Sequence, residues 1–136
     1  MVFEDKPFPV IKLCDFGLGR VNNLEMNSIV GTIVTQDPEM IYEREYTDRI
    51  DLYAIGCMLF KLIYKQYPCE EYWRDRDRFW NLIKNKEYIF RKFKTSKKNE
   101  CIDCCKKLLR YNDDEMDWEI FRELSYVKKC IDKINE

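Results

Sequence analysis

Three residues near the start of the chain, Asp15, Phe16 and Gly17, combine types and spacing that could do chemistry. They follow a short run of β-branched and apolar residues, 10–14, which favours a strand ending just before Asp15. Glycine at the third position leaves the backbone free to take positive φ. A carboxylate at the exit of a strand is in a position to hold a ligand. An isolated Asp-Phe-Gly triplet also fits an ordinary turn, so two interpretations are open at this point.

Two further motifs follow Asp15 in order along the chain. Gly31 and Thr32 precede an Asp-Pro-Glu triplet at 37–39, and Asp51 opens an apolar segment with the run Asp-Leu-Tyr-Ala-Ile-Gly. Each motif alone is a weak signal, but the three in this order and spacing resemble the C-terminal lobe of eukaryotic protein kinases of the Ser/Thr type. The resemblance makes 1–136 a partial protein kinase domain. Its ending is loosely similar to the autophagy-initiating kinases.

The resemblance implies a metal-binding role for Asp15. In phosphoryl transfer the protein mainly positions groups and neutralises charge, so a carboxylate that binds Mg²⁺ on the ATP phosphates is an indispensable part. Phe16 would pack beneath this site and Gly17 would let the backbone turn, so that the pair acts as a hinge for Asp15. The complete kinase would use ATP and Mg²⁺ and act on a protein substrate. Neither cofactor is expected to bind firmly to this chain alone.

The activation segment of the family corresponds to residues 15–39. Ser28 stands three residues before Gly31, where the family is usually phosphorylated, and phosphorylation orders such loops through new contacts with basic residues. Ser28 as an ordinary loop serine is equally compatible with the sequence. Gly31 and Thr32 resemble the start of the loop that receives the substrate peptide, and a threonine there is typical of Ser/Thr kinases.

Several positions depart from the family pattern. Thr35 stands in the place of a usual Tyr, and Asp37 in the place of a usual Ala. In the family Glu39 has a structural role in a buried ion pair with an Arg, but Glu115 occupies that position here. Like charges facing each other at a buried site would reduce stability. Either Glu39 finds another cation, with Arg110 as one candidate, or the region relaxes.

The strongest helical signal covers residues 47–64. Thr47 or Asp48 can cap its start, Asp51 lies near its positive end, and Pro68 marks a stop beyond it. The segment has almost no polar face, which predicts a central helix buried on all sides. The resemblance assigns Asp51 a structural role, in which it accepts backbone hydrogen bonds from the catalytic loop.

The predicted fold is mainly α, a kinase-like C-lobe with a short β-hairpin at its N-terminus. Val2–Phe3 and 10–14 would form the hairpin, and a long activation loop would follow. About five helices are expected after that. They cover 38–42, 47–64, 76–86, 99–110 and 117–133, the last broken near Ser125.

Cys101 and Cys104 form a C-x-x-C pair, which raises the possibility of a zinc-binding helical module. Zinc needs two such pairs, or one pair with histidines, and the chain has no histidine. On a helix these residues share one apolar stripe with Cys105 and Leu108, which favours packing against the core. The seven cysteines, an odd number, are interpreted as reduced thiols.

Composition and charge limit the classes of protein and partner that remain possible. The 136 residues are 46% hydrophobic and 36% charged, as in a globular domain, and the net charge of -1 gives no field for nucleic acid or an anionic membrane. No apolar run is long enough to span a bilayer, and acidic residues near the start argue against a signal peptide. A cytoplasmic or nuclear location is therefore expected, with neither nucleic acid nor membrane as a partner.

The resemblance also indicates which parts these residues do not contain. In the family the Gly-rich loop, the strand Lys and the catalytic-loop Asp all precede the Asp-Phe-Gly triplet, and the chain starts at the strand just before it. No catalytic residue is assigned, and the chain by itself is predicted to be inactive. The alternative is a non-catalytic, pseudokinase-like binding module, with a protein partner covering an exposed apolar surface of helix 47–64.

Overall fold

The computed structural model describes residues 11–19, 32–42, 46–86, 99–110 and 115–135. These residues form six α-helices and three short 310 turns, and they contain no β-strand. The 310 turns are Phe16–Leu18, Ile33–Thr35 and Glu70–Tyr72. The helices are α1 (Pro38–Tyr42), α2 (Arg49–Tyr64), α3 (Arg76–Asn85), α4 (Glu100–Leu108), α5 (Trp118–Glu123) and α6 (Ser125–Asn135). The prediction of a mainly helical chain is confirmed for these residues.

The predicted β-hairpin is not seen. Most of it, including Val2, Phe3 and Val10, lies outside the described residues, and the remaining part, 11–14, has no regular secondary structure. Ile11 and Leu13 are each 84% exposed. Because no described element covers their side chains, extending this segment into a strand would bury no apolar surface.

Helix α2 covers most of the predicted segment 47–64. It begins after Asp48, where the backbone N–H of Arg49 donates to the Thr47 hydroxyl at 3.4 Å, and it ends at Lys65, whose backbone is left-handed. One face is buried and presents Leu52, Tyr53, Gly56, Cys57 and Phe60 to the core. Met58 and Leu62 on the other face remain 49% and 69% exposed, so the described residues do not bury the helix on all sides. Burial in a complete kinase stays a prediction. The described elements pack against one side of α2 only.

A close approach in the core joins α2 to α4 at Gly56. A Cβ atom at Gly56 would lie 2.8 Å from Leu108 Cβ and 3.1 Å from Leu109 Cδ2, both of which are shorter than normal contacts. The thiol of Cys105 donates to the Gly56 carbonyl oxygen at 3.6 Å. Only the missing side chain of glycine therefore lets these two helices approach this closely.

The C-terminal helices pack on the same α2–α4 pair. Asp117 caps α5, since its Oδ1 accepts a hydrogen bond from the Ile120 N–H at 2.7 Å. The chain leaves the helical conformation at Leu124 and continues as α6, which agrees with the break predicted near Ser125. The shared core consists of Leu52, Cys104, Leu108, Met116 and Leu124.

Helix α3 lies against α1 on another part of the molecule. Asp75 caps it by accepting from the Arg78 N–H at 3.1 Å, and Phe79, Trp80 and Ile83 form its buried face. The Trp80 ring meets Tyr42 of α1 edge to face, with centroids 6.5 Å apart. No helix in the described part of the chain is long and apolar enough to cross a membrane.

Replacing the glycine at the α2–α4 contact tests this packing. Gly56→Ala places a methyl group against Leu108, and we expect a loss of about 1–3 kcal/mol in the free energy of unfolding because the helices must separate. Urea denaturation followed by circular dichroism measures the change. Leu62→Ala on the exposed face of the same helix is the matched control, with an expected effect within about 0.5 kcal/mol. Equal stability of the two variants would contradict the close approach.

Candidate functional site

Asp15 opens a 310 turn and keeps its carboxylate in solvent. Its backbone is left-handed, with φ at 62°, and its Oδ1 accepts a hydrogen bond from the Gly17 N–H at 3.4 Å. The turn closes where the Gly19 N–H donates to the Phe16 carbonyl at 2.9 Å. Phe16 is 73% exposed, so the packing expected beneath the site is not present among the described residues. The carboxylate of Asp15 is accessible, and the neighbouring Phe16 ring is not packed against the described core.

The donor set around Asp15 fits a shared metal site better than a complete one. Among the residues with described positions, no group of three or more His, Cys, Asp or Glu side chains could hold a metal ion. Mg²⁺ needs near-octahedral oxygen coordination and commonly takes its other ligands from water and substrate phosphates. Asp15 alone can therefore supply one ligand to an Mg²⁺ ion that a nucleotide also holds.

Beyond residue 19, the range 15–39 is described only from residue 32 onward. Ser28 and Gly31 lie outside the described residues. Thr32 is exposed and begins the 310 turn Ile33–Thr35, where its carbonyl oxygen accepts the Thr35 N–H at 2.9 Å and the Thr35 hydroxyl at 3.0 Å. Helix α2 packs against this turn. The end of the segment is thus anchored on the helical core.

A partly buried group of three charged side chains secures this anchor, and we call it the ion triad: Asp37, Glu39 and Arg110. The Asp37 side chain is fully buried, and both of its oxygens accept from Arg110, Oδ2 from Nη2 at 2.7 Å and Oδ1 from Nη1 at 3.4 Å. The same Nη1 donates to Glu39 Oε1. Asp37 also caps α1, because its Oδ1 accepts from the Glu39 N–H at 2.9 Å. One guanidinium therefore neutralises two carboxylates and fixes the start of a helix.

The ends of two helices hold Arg110 in place. It lies just beyond α4 with a left-handed backbone, φ at 51°, and its carbonyl oxygen accepts from Lys86 Nζ at 2.5 Å. Lys86 ends α3 and is also left-handed, with φ at 55°. Because α3 and α4 both end here, the Arg110 guanidinium is held in position to contact Asp37 and Glu39.

The ion triad resolves the alternatives left open for Glu39. Arg110 is its cation, and Glu115, which takes the position of the usual Arg in the family pattern, is exposed. Asp37 is more than a departure from that pattern, since it contributes the fully buried carboxylate. An Asp before Pro38 is an N-cap signature that sequence reasoning could have used. Nothing local in the sequence pairs it with Arg110.

Two side chains of α2 complete the surroundings of the site. Tyr53 is buried, which raises its pKa well above the ordinary value, and the negative charge of Asp37 acts in the same direction. Its hydroxyl therefore stays neutral beside the ion triad. Asp51 is exposed in the first turn, and lost hydration together with the nearby charge of Asp48 raises its pKa. The backbone partner that the family pattern assigns to Asp51, a catalytic loop, is not among the described residues.

Comparison with known proteins agrees with the motifs. The model of the protein kinase domain family matches residues 1–129, nearly the whole chain. The chain therefore belongs to the eukaryotic protein kinase family, and its curated relatives are of the Ser/Thr type. No solved structure matches the chain.

Three relatives show how small a share of a whole kinase the matched residues cover. Serine/threonine-protein kinase 36 of Pongo abelii is 44% identical over 55 residues, which are 38% of this chain and 4% of that protein. Aurora kinase of Saccharomyces cerevisiae is 41% identical over 68 residues, 48% of this chain and 18% of that protein. Serine/threonine-protein kinase ATG1a of Arabidopsis thaliana is 30% identical over 113 residues, 79% of this chain and 17% of that protein. The chain thus spans less than a fifth of each of these relatives.

Removing the Arg110 cation from the ion triad should lower the free energy of unfolding. Arg110→Ala removes the guanidinium that pairs with the buried Asp37 carboxylate, and we expect a loss of about 3–5 kcal/mol in the free energy of unfolding. Arg110→Lys keeps the charge but not the paired hydrogen bonds, so its loss should be intermediate. Denaturant unfolding of each variant gives these values.

The control for this series is an exposed ion pair elsewhere. Lys128→Ala breaks the pair with Glu123 on the surface and should cost less than about 1 kcal/mol. The double variant Asp37→Ala/Arg110→Ala should lose less than the two single losses added together, because it leaves no buried unpaired charge at position 37. Strict additivity would argue against the coupling of Asp37 with Arg110.

Proposed function

We propose that these residues form part of a Ser/Thr protein kinase that transfers the ATP γ-phosphate to Ser or Thr of a protein substrate. The observation that carries the proposal is the accessible carboxylate of Asp15 at the head of an activation segment whose far end is fixed by the ion triad. In the complete kinase Asp15 supplies an oxygen ligand to the Mg²⁺ that bridges the ATP phosphates. The membership of the family supports this role.

The chain by itself is proposed to be inactive. Phosphoryl transfer requires a cradle for the phosphates, a second metal ligand and a residue that orients the attacking hydroxyl. The 136 residues contain none of the family motifs for these tasks. One carboxylate binds Mg²⁺ weakly without phosphate ligands, so Asp15 needs the rest of a kinase around it.

The remaining assignments follow from the same resemblance. Thr32, with Gly31, belongs to the loop that would receive the substrate peptide, and Ser28 is the proposed phosphorylation site of the activation segment. Phe16 and Gly17 act as the hinge of Asp15 when an apolar surface covers the Phe16 ring. We place the protein in the cytoplasm or nucleus.

A chimera tests the role of Asp15. Residues 15–136 are joined to the part of the Saccharomyces cerevisiae Aurora kinase that precedes the position equivalent to Asp15. We expect Mg²⁺-dependent transfer of radiolabelled phosphate to a Ser/Thr protein substrate, and a loss of at least about 100-fold with Asp15→Asn, because the metal loses its carboxylate ligand. The isolated chain, assayed at the same concentration, should transfer nothing.

Glu71→Gln, which neutralises another exposed acid, is the matched control and should leave the rate unchanged. Cooperative unfolding of each chimera verifies that it is folded. A folded chimera whose activity does not depend on Asp15 would overturn the metal-ligand role, and transfer by the isolated chain would overturn its proposed inactivity.

A second candidate is a non-catalytic, pseudokinase-like binding module. Met58 and Leu62, a turn apart on α2, form an exposed apolar strip, which is the observation in its favour. Asp37 and Glu115, which depart from the family pattern, are compatible with a chain that no longer needs catalytic geometry. In this function the strip would bind a complementary protein surface.

The state of the purified chain discriminates this candidate. An uncovered apolar strip predicts association at micromolar concentration, which analytical ultracentrifugation detects, and Met58→Lys/Leu62→Lys should return the chain to a monomer. Ile134→Lys, which changes an exposed apolar residue of α6, should not. A stable wild-type monomer would count against the binding module, while leaving the kinase assignment untouched.

A further inference from the structure

The 310 turn Ile33–Thr35, which we call the docking turn, packs on a part of the core that α3 also forms. The turn directly follows Thr32, and its side chains Ile33 and Val34 are half-buried. Both pack against a buried cluster, whose members are Cys69, Phe79, Trp80 and Ile83. Three of these four residues belong to the buried face of α3. The docking turn and α3 therefore share one patch of core.

Tyr72 packs against the same cluster and has a charged side chain above its ring. The guanidinium carbon of Arg78, Cζ, lies over the Tyr72 ring, 4.4 Å from its centroid. Arg78 is exposed and stands in the first turn of α3, one residue before Phe79 of the cluster. The docking turn and the ring that holds the Arg78 charge thus rest on one cluster of buried side chains.

The contact with Tyr72 positions the Arg78 guanidinium and still leaves it able to bind an anion. A cation over an aromatic face is attracted by the ring, which restricts the positions that a long side chain samples. The guanidinium carries five N–H donors in a planar fork, so donors remain for a further partner. A carboxylate is the partner that such a fork matches best, because its two oxygens can accept two parallel hydrogen bonds.

The acidic residues nearest to Arg78 in sequence have another partner or another direction. Asp75 caps α3, and its Oδ1 accepts a hydrogen bond from the backbone N–H of Arg78 at 3.1 Å, so its charge stabilises the start of the helix. Asp77 is the neighbour of Arg78 on α3, and successive residues of a helix do not face each other. The exposed guanidinium therefore presents a positive charge to solvent beside the docking turn.

We propose that Arg78 is a specificity-determining residue, which selects protein substrates with an acidic side chain on the C-terminal side of the phosphorylated Ser or Thr. The inference rests on the kinase function proposed above, in which the loop at Thr32 receives the residue after the phosphorylated one. An extended peptide advances about 3.3 Å per residue, so about four residues cover the roughly 10–12 Å width of a helix. The acidic residue is therefore expected within about four positions of the phosphorylated one.

Peptide binding to the full chain tests this selection directly. Fluorescently labelled peptides contain one Ser in an otherwise neutral sequence, with Glu, Gln or Lys at one of the positions that follow it. We expect at least one Glu peptide to bind about threefold more tightly than its Gln counterpart in fluorescence anisotropy, because its carboxylate pairs with an exposed guanidinium. The difference should shrink at high ionic strength, since salt screens exposed charges.

Three variants assign the preference to one side chain. Arg78→Gln should remove the preference for Glu, and Arg78→Glu should turn it into a preference for Lys. Arg74→Gln is the matched control and should keep the preference for Glu. Arg74 also lies over an aromatic ring, 5.4 Å from the centroid of Trp73, but that ring is 46% exposed. Thermal unfolding of each variant verifies that it is folded.

The chimera with the Aurora kinase segment separates this inference from the kinase function. Its kcat/KM should be about threefold higher for the preferred Glu peptide than for the Gln peptide, and Arg78→Gln should bring this ratio close to one. A chimera that transfers no phosphate would contradict the proposed function, whereas the binding experiment would still decide the role of Arg78. Equal binding of Glu and Gln peptides, no measurable binding of any peptide, or a Glu preference that persists in Arg78→Gln would overturn the proposal.

Discussion

The charge of Asp37 is the constraint on which the arrangement of this chain depends. Its side chain is fully buried, and an unpaired carboxylate in such a place would cost several kcal/mol. The guanidinium of Arg110 neutralises this charge and also pairs with Glu39. Arg110 lies where α3 and α4 end, and Lys86 at the end of α3 donates to its carbonyl oxygen. Satisfying this charge therefore fixes the position of α1, and with it the C-terminal end of segment 15–39, relative to the helical core.

Helix α4, which precedes Arg110, packs tightly into the core. It approaches α2 closely enough that Gly56 has no room for a side chain, and it contributes Cys105 and Leu108 to two different buried clusters. Such tight packing leaves little freedom for Arg110 to move without disturbing the core.

The two ends of segment 15–39, the proposed activation segment, differ in how much the described residues pack against them. At 32–39 the segment rests on α2 and is secured by buried charge, whereas Asp15 and Phe16 stand exposed with no core beneath them. A metal ligand has to be held rigidly to act. The metal-ligand role that we propose for Asp15 would therefore require packing from surfaces other than the described ones.

Local signals in the sequence were sufficient for the helices and the family. Caps such as Asp75, Asn99 and Asp117 and the apolar spacing lie within a few residues of what they control, so they set the helix boundaries and the break near Ser125. The family can likewise be recognised from the order of the three motifs along the chain, without three-dimensional information. The partner of Glu39 and the uncovered face of α2 were decided only by the tertiary structure, because they depend on side chains brought together from distant parts of the chain. Arg110 is 71 residues from Glu39, and only the packing of α4 at Gly56 brings its charge to that carboxylate.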